Sequence, residues 1–216
     1  LNKVWWMRGW EKWVRGEVWL ISQIKKFVEA GGRIIVNSSW LINQLKDKCG
    51  VESQLCYAGL DLDMWEDHNN IQKNSIGFLG KRKHITKRQD LCRDVMKEFI
   101  HKKFFFLGED LDYPELISLY NKCDIWFAPT ELEGFHNVPA EANLCGCLVV
   151  CNRLDSNGMD DYATEETAMR YSGYDEMLAC IENPDFNKVV KMQAVLKEKI
   201  GSREKNMKRF VELIGE

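Results

Sequence analysis

The chain has 216 residues, of which 45% are hydrophobic and 29% charged, and its net charge is −3. This balance is ordinary for a soluble globular protein and gives no global basic field for nucleic acid. No apolar run approaches the roughly 20 residues that cross a bilayer, and the N-terminus lacks a basic start followed by a pure apolar stretch.

In chain order, residues 5–30 have a helical pattern, which Gly31-Gly32 ends. Trp6, Trp10 and Trp13 would share one face of that helix, with Arg8, Lys12 and Arg15 around them. Such a helix suits a membrane interface, or packing against neighbouring protein. Arg33 to Asn37 reads as a short strand, and Ser38-Ser39 as the cap of a helix running to about Lys48. Residues 52–65 are mixed, with a turn at Ala58-Gly59, and residues 66–74 read as loop.

From Ile76 the rhythm becomes regular. Strands are expected at 76–80, 104–108, 125–128, 148–151 and 168–171. Helices are expected at 87–101, 114–122 and 139–144, and then near 175–181, 186–200 and 202–214. Pro114 suits a first helical position. Asn157-Gly158 is a turn. Strands alternating with helices predict an α/β domain with a doubly wound parallel sheet and flanking helices. The expected division is a partial piece at 1–65, with only a helix, a strand and a helix, and a complete Rossmann-like domain at 66–216. A start at Leu1 suggests a piece of something longer.

The eight cysteines mostly sit inside apolar runs, as small buried hydrophobes do. A domain of this size needs no disulfide staples, so a reducing cytoplasm is expected. Cys145, Cys147 and Cys151 lie across a helix end and a strand with no second knuckle, and read as packing rather than as a metal site. Asp61-Leu62-Asp63 has the spelling of a metal motif but lies outside any donor loop.

The most informative segment is Glu133-Gly134-Phe135-His136-Asn137-Val138-Pro139-Ala140-Glu141. It follows an apolar strand and opens a short helix, at the strand end where open α/β sheets bind ligands. Paired carboxylates there suit a polyhydroxylated ligand, and free amides at the helix start suit an anion. Sugar hydroxyls together with phosphate point to a nucleotide sugar. Gly134 permits close backbone approach. The plain alternatives are a solvated Glu133, a Glu141 favoured by the helix dipole, an incidental His136 and an Asn137 that merely caps the helix.

These residues resemble the two-glutamate signature of retaining glycosyltransferases of the GT-B fold, the group 1 or family 4 type. Leu119 to Thr130 is similar to that family's approach to the motif. Ile76-Gly77-Phe78-Leu79-Gly80-Lys81-Arg82, then Lys87, resembles its phosphate-binding strand end. Tyr57-Ala58-Gly59-Leu60-Asp61 resembles its crossing between domains. The family has arginine directly after the glycine; here Lys81 stands there and Arg82 follows. Only the end of the family's N-terminal domain is expected in this chain.

The resemblance implies transfer of a hexose from a UDP- or GDP-linked donor, with retention of configuration and no metal or other cofactor. Glu133, Lys87 and Arg82 are the expected catalytic group. Gly80, Lys81, Gly134, Phe135, His136, Asn137, Val138 and Glu141 are expected to bind the substrate. Glu133 would take sugar hydroxyls, Glu141 the ribose, and Lys87 with Arg82 or Lys81 the diphosphate. The nucleobase is expected near Leu107, Gly108 and Glu109 and the helix start at Tyr113. Glu131 reads as facing solvent. The expected partners are the donor and a glycan, lipid or protein acceptor, with peripheral membrane contact through the Trp-rich helix. The competing readings are a non-catalytic nucleotide-sugar-binding module and a nucleotide-sugar epimerase of the same fold.

Overall fold

A computed structural model describes residues 3–10, 15–69, 74–80, 87–108, 111–153 and 158–215. Two parallel sheets are present. The first contains β1 (Val4–Met7), β2 (Arg33–Val36) and β3 (Gln54–Leu55) in the order β1-β2-β3. Its connections are α1 (Glu17–Glu29) and α2 (Ser39–Cys49). The second contains β4 (Ser75–Leu79), β5 (Lys103–Leu107), β6 (Ile125–Ala128), β7 (Leu148–Asn152) and β8 (Met169–Tyr171), in the order β5-β4-β6-β7-β8.

The second sheet is doubly wound, as its alternation dictates. On β6, Ile125 and Phe127 join Ile76, Phe78 and Val150 in a core under α3 (Gln89–Glu98) and α6 (Tyr174–Glu182). Trp126 and Ala128 face the other way. They pack with Val149, Cys151 and Tyr120 under α4 (Tyr113–Tyr120), α5 (Asn137–Leu144) and α7 (Asn187–Val195). A π-helical turn at Leu196–Ile200 leads into α8 (Arg203–Gly215). All eight cysteines are buried as free thiols.

The N-terminal expectation needs correction. Residues 5–30 are not one helix. Trp5 and Trp6 lie in β1, paired with Ile34 and Ile35. Trp6 stacks near Phe210 of α8 at 4.7 Å, and Trp5 meets Phe27 of α1 edge-on at 5.8 Å. Trp10 is buried, and its indole N–H donates to Glu17 at 2.8 Å. Trp13 lies outside the described residues. A strand covered on both faces shows a continuous apolar run, which periodicity cannot separate from a buried helix. Trp6 therefore does not share a helix face with Trp10, and no described helix is long and apolar enough to cross a membrane.

The first piece is thus a strand-helix-strand-helix-strand unit with its own core. Ile34 and Val36 pack with Leu20, Ile24, Leu41 and Leu45. On the opposite face Ile35 and Cys56 are covered by Leu213 of α8, which crosses back from the second sheet. That crossing is tied down at Leu60, which pairs with Ser202 as an isolated parallel bridge. Arg203 also pairs with Asp61 at 3.0 Å, which accounts for one carboxylate of the Asp61-Leu62-Asp63 spelling.

Candidate functional site

The C-terminal edges of the two sheets face each other. β1 runs into Arg8-Gly9 and β2 into Asn37-Ser38, while β6 runs into the loop 129–136. At Gly134 a Cβ would overlap the Arg8 carbonyl oxygen and touch Gly9, and at Gly158 one would overlap the Gly134 carbonyl. The close approach at Gly134 is made by the opposite sheet's backbone, whereas the sequence suggested an approach to the ligand. Gly158 N–H donates to the Glu133 carbonyl at 3.0 Å and fixes the loop.

A second contact closes the same seam. Asp161, in the 3-10 turn Gly158–Asp161, accepts from the backbone N–H of Ser39 at 2.9 Å and from its hydroxyl. Ser38 caps α2 by accepting from the N–H of Leu41 at 3.4 Å, so the helix start itself is docked on Asp161. Lys199 Nζ donates to the Asp161 carbonyl at 2.7 Å. Phe135 rests between Tyr57 and Tyr162, with ring centroids 6.0 and 5.3 Å away.

Lys87 and Glu133 come together as an ion pair, with Lys87 buried. Lys87 precedes α3, whose N-cap position is Arg88 in the left-handed region at φ 46°. Arg88 pairs in turn with Glu131 and, at 2.8 Å, with Asp90. These two carboxylates hold the guanidinium charged, and the hydrogen bond from Arg88 in turn holds Asp90 below its ordinary range. Glu131, expected to face solvent, is thus half of an ion pair. The strand end behind them is tight: Gly80 N–H donates to the Leu107 carbonyl at 2.8 Å, and Gln89 donates to the Gly80 carbonyl at 3.1 Å. Lys81, Arg82 and Glu109 lie outside the described residues.

Glu141 occupies a neighbouring position on α5. Its carboxylate accepts from the Tyr120 hydroxyl at 3.3 Å. Burial pushes its pKa up to about 7, against the lowering effects of Tyr120 and Arg203. The Glu141–Tyr120 pair and the Lys87–Glu133 pair are thus two polar centres whose carboxylates both come from the segment 129–144. Leu107 and Val138 pack on the core that includes Tyr120. Among the described residues nothing stands within 4 Å of a Cβ placed on Gly108.

His136 and Asn137 correct the capping expectation. α5 begins at Asn137, and its N-cap is His136, which makes no side-chain cap. His136 is buried, and its carbonyl accepts from the Tyr162 hydroxyl at 2.5 Å.

Two parallel sheets meeting at their C-terminal edges, with a strand-loop-helix glutamate pair on the second, define the C-terminal half of a GT-B arrangement with part of the first half attached. The family model described as "Glycosyl transferases group 1" matches residues 66–174, and the chain belongs to that family. The chain is similar in fold to Anabaena HepE, crystallised with UDP and glucose, at 14% identity and a TM-score of 0.76; 99% of this chain and 71% of HepE are covered. It is similar to S. aureus TarM, in complex with fondaparinux, α-GlcNAc-glycerol and UDP, at 15% identity and a TM-score of 0.76, covering 100% of this chain and 51% of TarM. The pneumococcal O-GlcNAc transferase GtfA, in complex with UDP and GlcNAc, gives 11% and 0.70, with 99% of this chain and 52% of GtfA covered. By sequence the chain matches no curated protein.

Proposed function

We propose that this chain is the donor-binding half of a retaining hexosyltransferase that uses a uridine-diphosphate sugar. The observation that carries the reading is the Lys87–Glu133 ion pair at the C-terminal edge of β6, within the span matched by the family. The preference for UDP over GDP rests on the UDP found with HepE, TarM and GtfA.

In this reading Lys87 exchanges Glu133 for the donor's phosphate oxygens. Cleavage at the anomeric carbon leaves a nucleoside diphosphate whose negative charge grows, and a fixed cation stabilises that charge more in the transition state than in the ground state. Arg82 or Lys81 adds a second cation, which takes the place of a metal ion. Glu133, released from Lys87, accepts hydroxyl hydrogen bonds from the sugar. Glu141 as a carboxylate accepts both hydroxyls of the ribose, with the base against Leu107 and Gly108. The backbone of residues 134–138 faces the phosphates, close to Arg8 and Gly9. The acceptor, a glycan, lipid or protein, approaches from the first sheet.

Isothermal titration with UDP, GDP, UDP-glucose and UDP-N-acetylglucosamine tests the binding step. Binding of UDP but not GDP supports the reading, and no binding of either nucleotide refutes it. Proton NMR of the sugar released during slow donor hydrolysis then reads the anomeric configuration. A retained anomer supports the catalytic assignment; binding without turnover leaves a binding module.

A further inference from the structure

A cavity of about 370 Å³ opens between the starts of α3 and α6. Arg88, Glu131, Asn152, Tyr171 and Tyr174 line it, over Leu91 and Met177. Two features mark it as more than a packing gap. Asn152 is 9% and Tyr171 5% exposed, and among the described residues the Oδ1 of the one and the Oη of the other have no hydrogen-bond partner. Buried polar atoms left unpaired cost about 1–3 kcal/mol each, so two beside one cavity point to groups that meet a ligand.

The charges around the cavity choose the kind of ligand. Arg88 is already compensated by Glu131 and Asp90. The start of α6 carries its own acids, Asp175 and Glu176, and Glu176 also accepts from the Ser172 N–H at 2.7 Å. An anion at that helix start would meet carboxylates rather than free amides. A neutral ligand rich in hydroxyls fits instead. Its hydroxyls donate to Asn152 Oδ1 and Glu131 and exchange hydrogen bonds with Tyr171 Oη. Its apolar face lies on Leu91, over the buried Met177, and the exposed Tyr174 ring stands at the mouth.

We propose that this cavity is a second carbohydrate site, sized for one neutral pyranose ring and separate from the donor site. The assignment stands on the cavity's own lining and does not require that the chain bind a nucleotide. The two sites touch through the chain alone: Arg88 follows Lys87, and Glu131 lies two residues before Glu133. A ring bound in the cavity is therefore one residue away from the cation that would hold the donor phosphates.

Saturation-transfer NMR on the whole chain tests this with methyl α-glucopyranoside, methyl α-galactopyranoside and methyl α-mannopyranoside as probes. At least one is expected to give a signal that persists in the presence of excess UDP. Tyr174→Ala, at an exposed position that does not threaten folding, and Asn152→Leu are each expected to weaken that probe about tenfold or more, the effect of losing one good contact. Silence from all three probes overturns the assignment. So does a signal that UDP displaces, which would place the sugar in the donor site, or one that Tyr174→Ala leaves unchanged.

Discussion

Lys87 is held by Glu133, so the cation that would grip the donor is already partnered by the carboxylate that would grip its sugar. The two substitutions at this pair should therefore act in opposite directions on nucleotide affinity. Lys87→Ala should weaken UDP binding by roughly 10- to 100-fold, the loss of one charge-assisted contact. Glu133→Gln removes the competitor, so UDP should bind as well or better while donor turnover falls. Titration calorimetry with both variants decides it; equal weakening by both would show that Glu133 orders Lys87 rather than competing for it.

The metal-free reading makes its own demand. If Lys87 and a second cation carry the leaving-group charge, chelation should leave UDP affinity and donor hydrolysis unchanged. A loss of either on adding EDTA, restored by Mg²⁺ or Mn²⁺, would transfer that role to a metal.

Glu141 gives a stability signature with a definite sign. Its folded pKa is about 7, above the ordinary carboxylate value of 4.5. The folded state therefore binds the proton more tightly than the unfolded chain. The stabilisation is complete below about pH 4.5 and is lost as pH rises through 7. Glu141→Gln keeps an acceptor for the Tyr120 hydroxyl and removes the buried charge. It should raise stability by on the order of 1–3 kcal/mol at pH 8 and have little effect near pH 4.5. Urea unfolding at the two pH values measures the difference, and a destabilised variant at pH 8 would contradict the account.

Gly134→Ala should damage the seam between the sheets. Its methyl group would occupy the space of the Arg8 carbonyl oxygen, where backbone faces backbone and no side chain can turn aside. A loss of about 2–3 kcal/mol in urea unfolding is expected, together with weaker UDP binding. Gly173→Ala is the control, since nothing lies within 4 Å of its added carbon.

Asp161 gives the matching polar test. Asp161→Ala leaves the Ser39 N–H and hydroxyl without their acceptor and should cost about 2–4 kcal/mol. Ser39→Ala removes only the hydroxyl and should cost about 1 kcal/mol. Chemical denaturation compares the two, and equal losses would mean that the backbone contact contributes little.

What the sequence disclosed follows from how local each signal is. The second sheet was legible because its strands alternate with amphipathic helices; β6 falls at 125–128 as expected, and Ser38 caps α2 as its hydroxyl suggests. β1 was not legible, since Val-Trp-Trp-Met is apolar on both faces and has no period of two. β3 escaped because a two-residue strand carries no pattern at all. Within the site, Lys87 and Glu133 were individually visible through the resemblance. The pairing of Arg88 with Glu131, 43 residues apart, was not, because no short-range pattern encodes it. The contact of Ser39 with Asp161 spans 122 residues and was hidden for the same reason. Glu141 could be chosen from its spacing, but its raised pKa arises from the surrounding burial, which only coordinates reveal.

The return of α8 to the first sheet sets an order on biosynthesis. Trp6, Ile35 and Cys56 leave the ribosome well before α8, yet their outer face is completed by Phe210, Leu213 and the Asn206 carbonyl, which accepts from Cys56 Sγ at 3.4 Å. Until residues 203–215 emerge, that face of β2 stays uncovered, even after the second sheet has every strand it needs. Nascent chains halted before Arg203 should therefore bind a hydrophobic dye or a chaperone through the face of Trp6, Ile35 and Cys56, and release it once α8 is made.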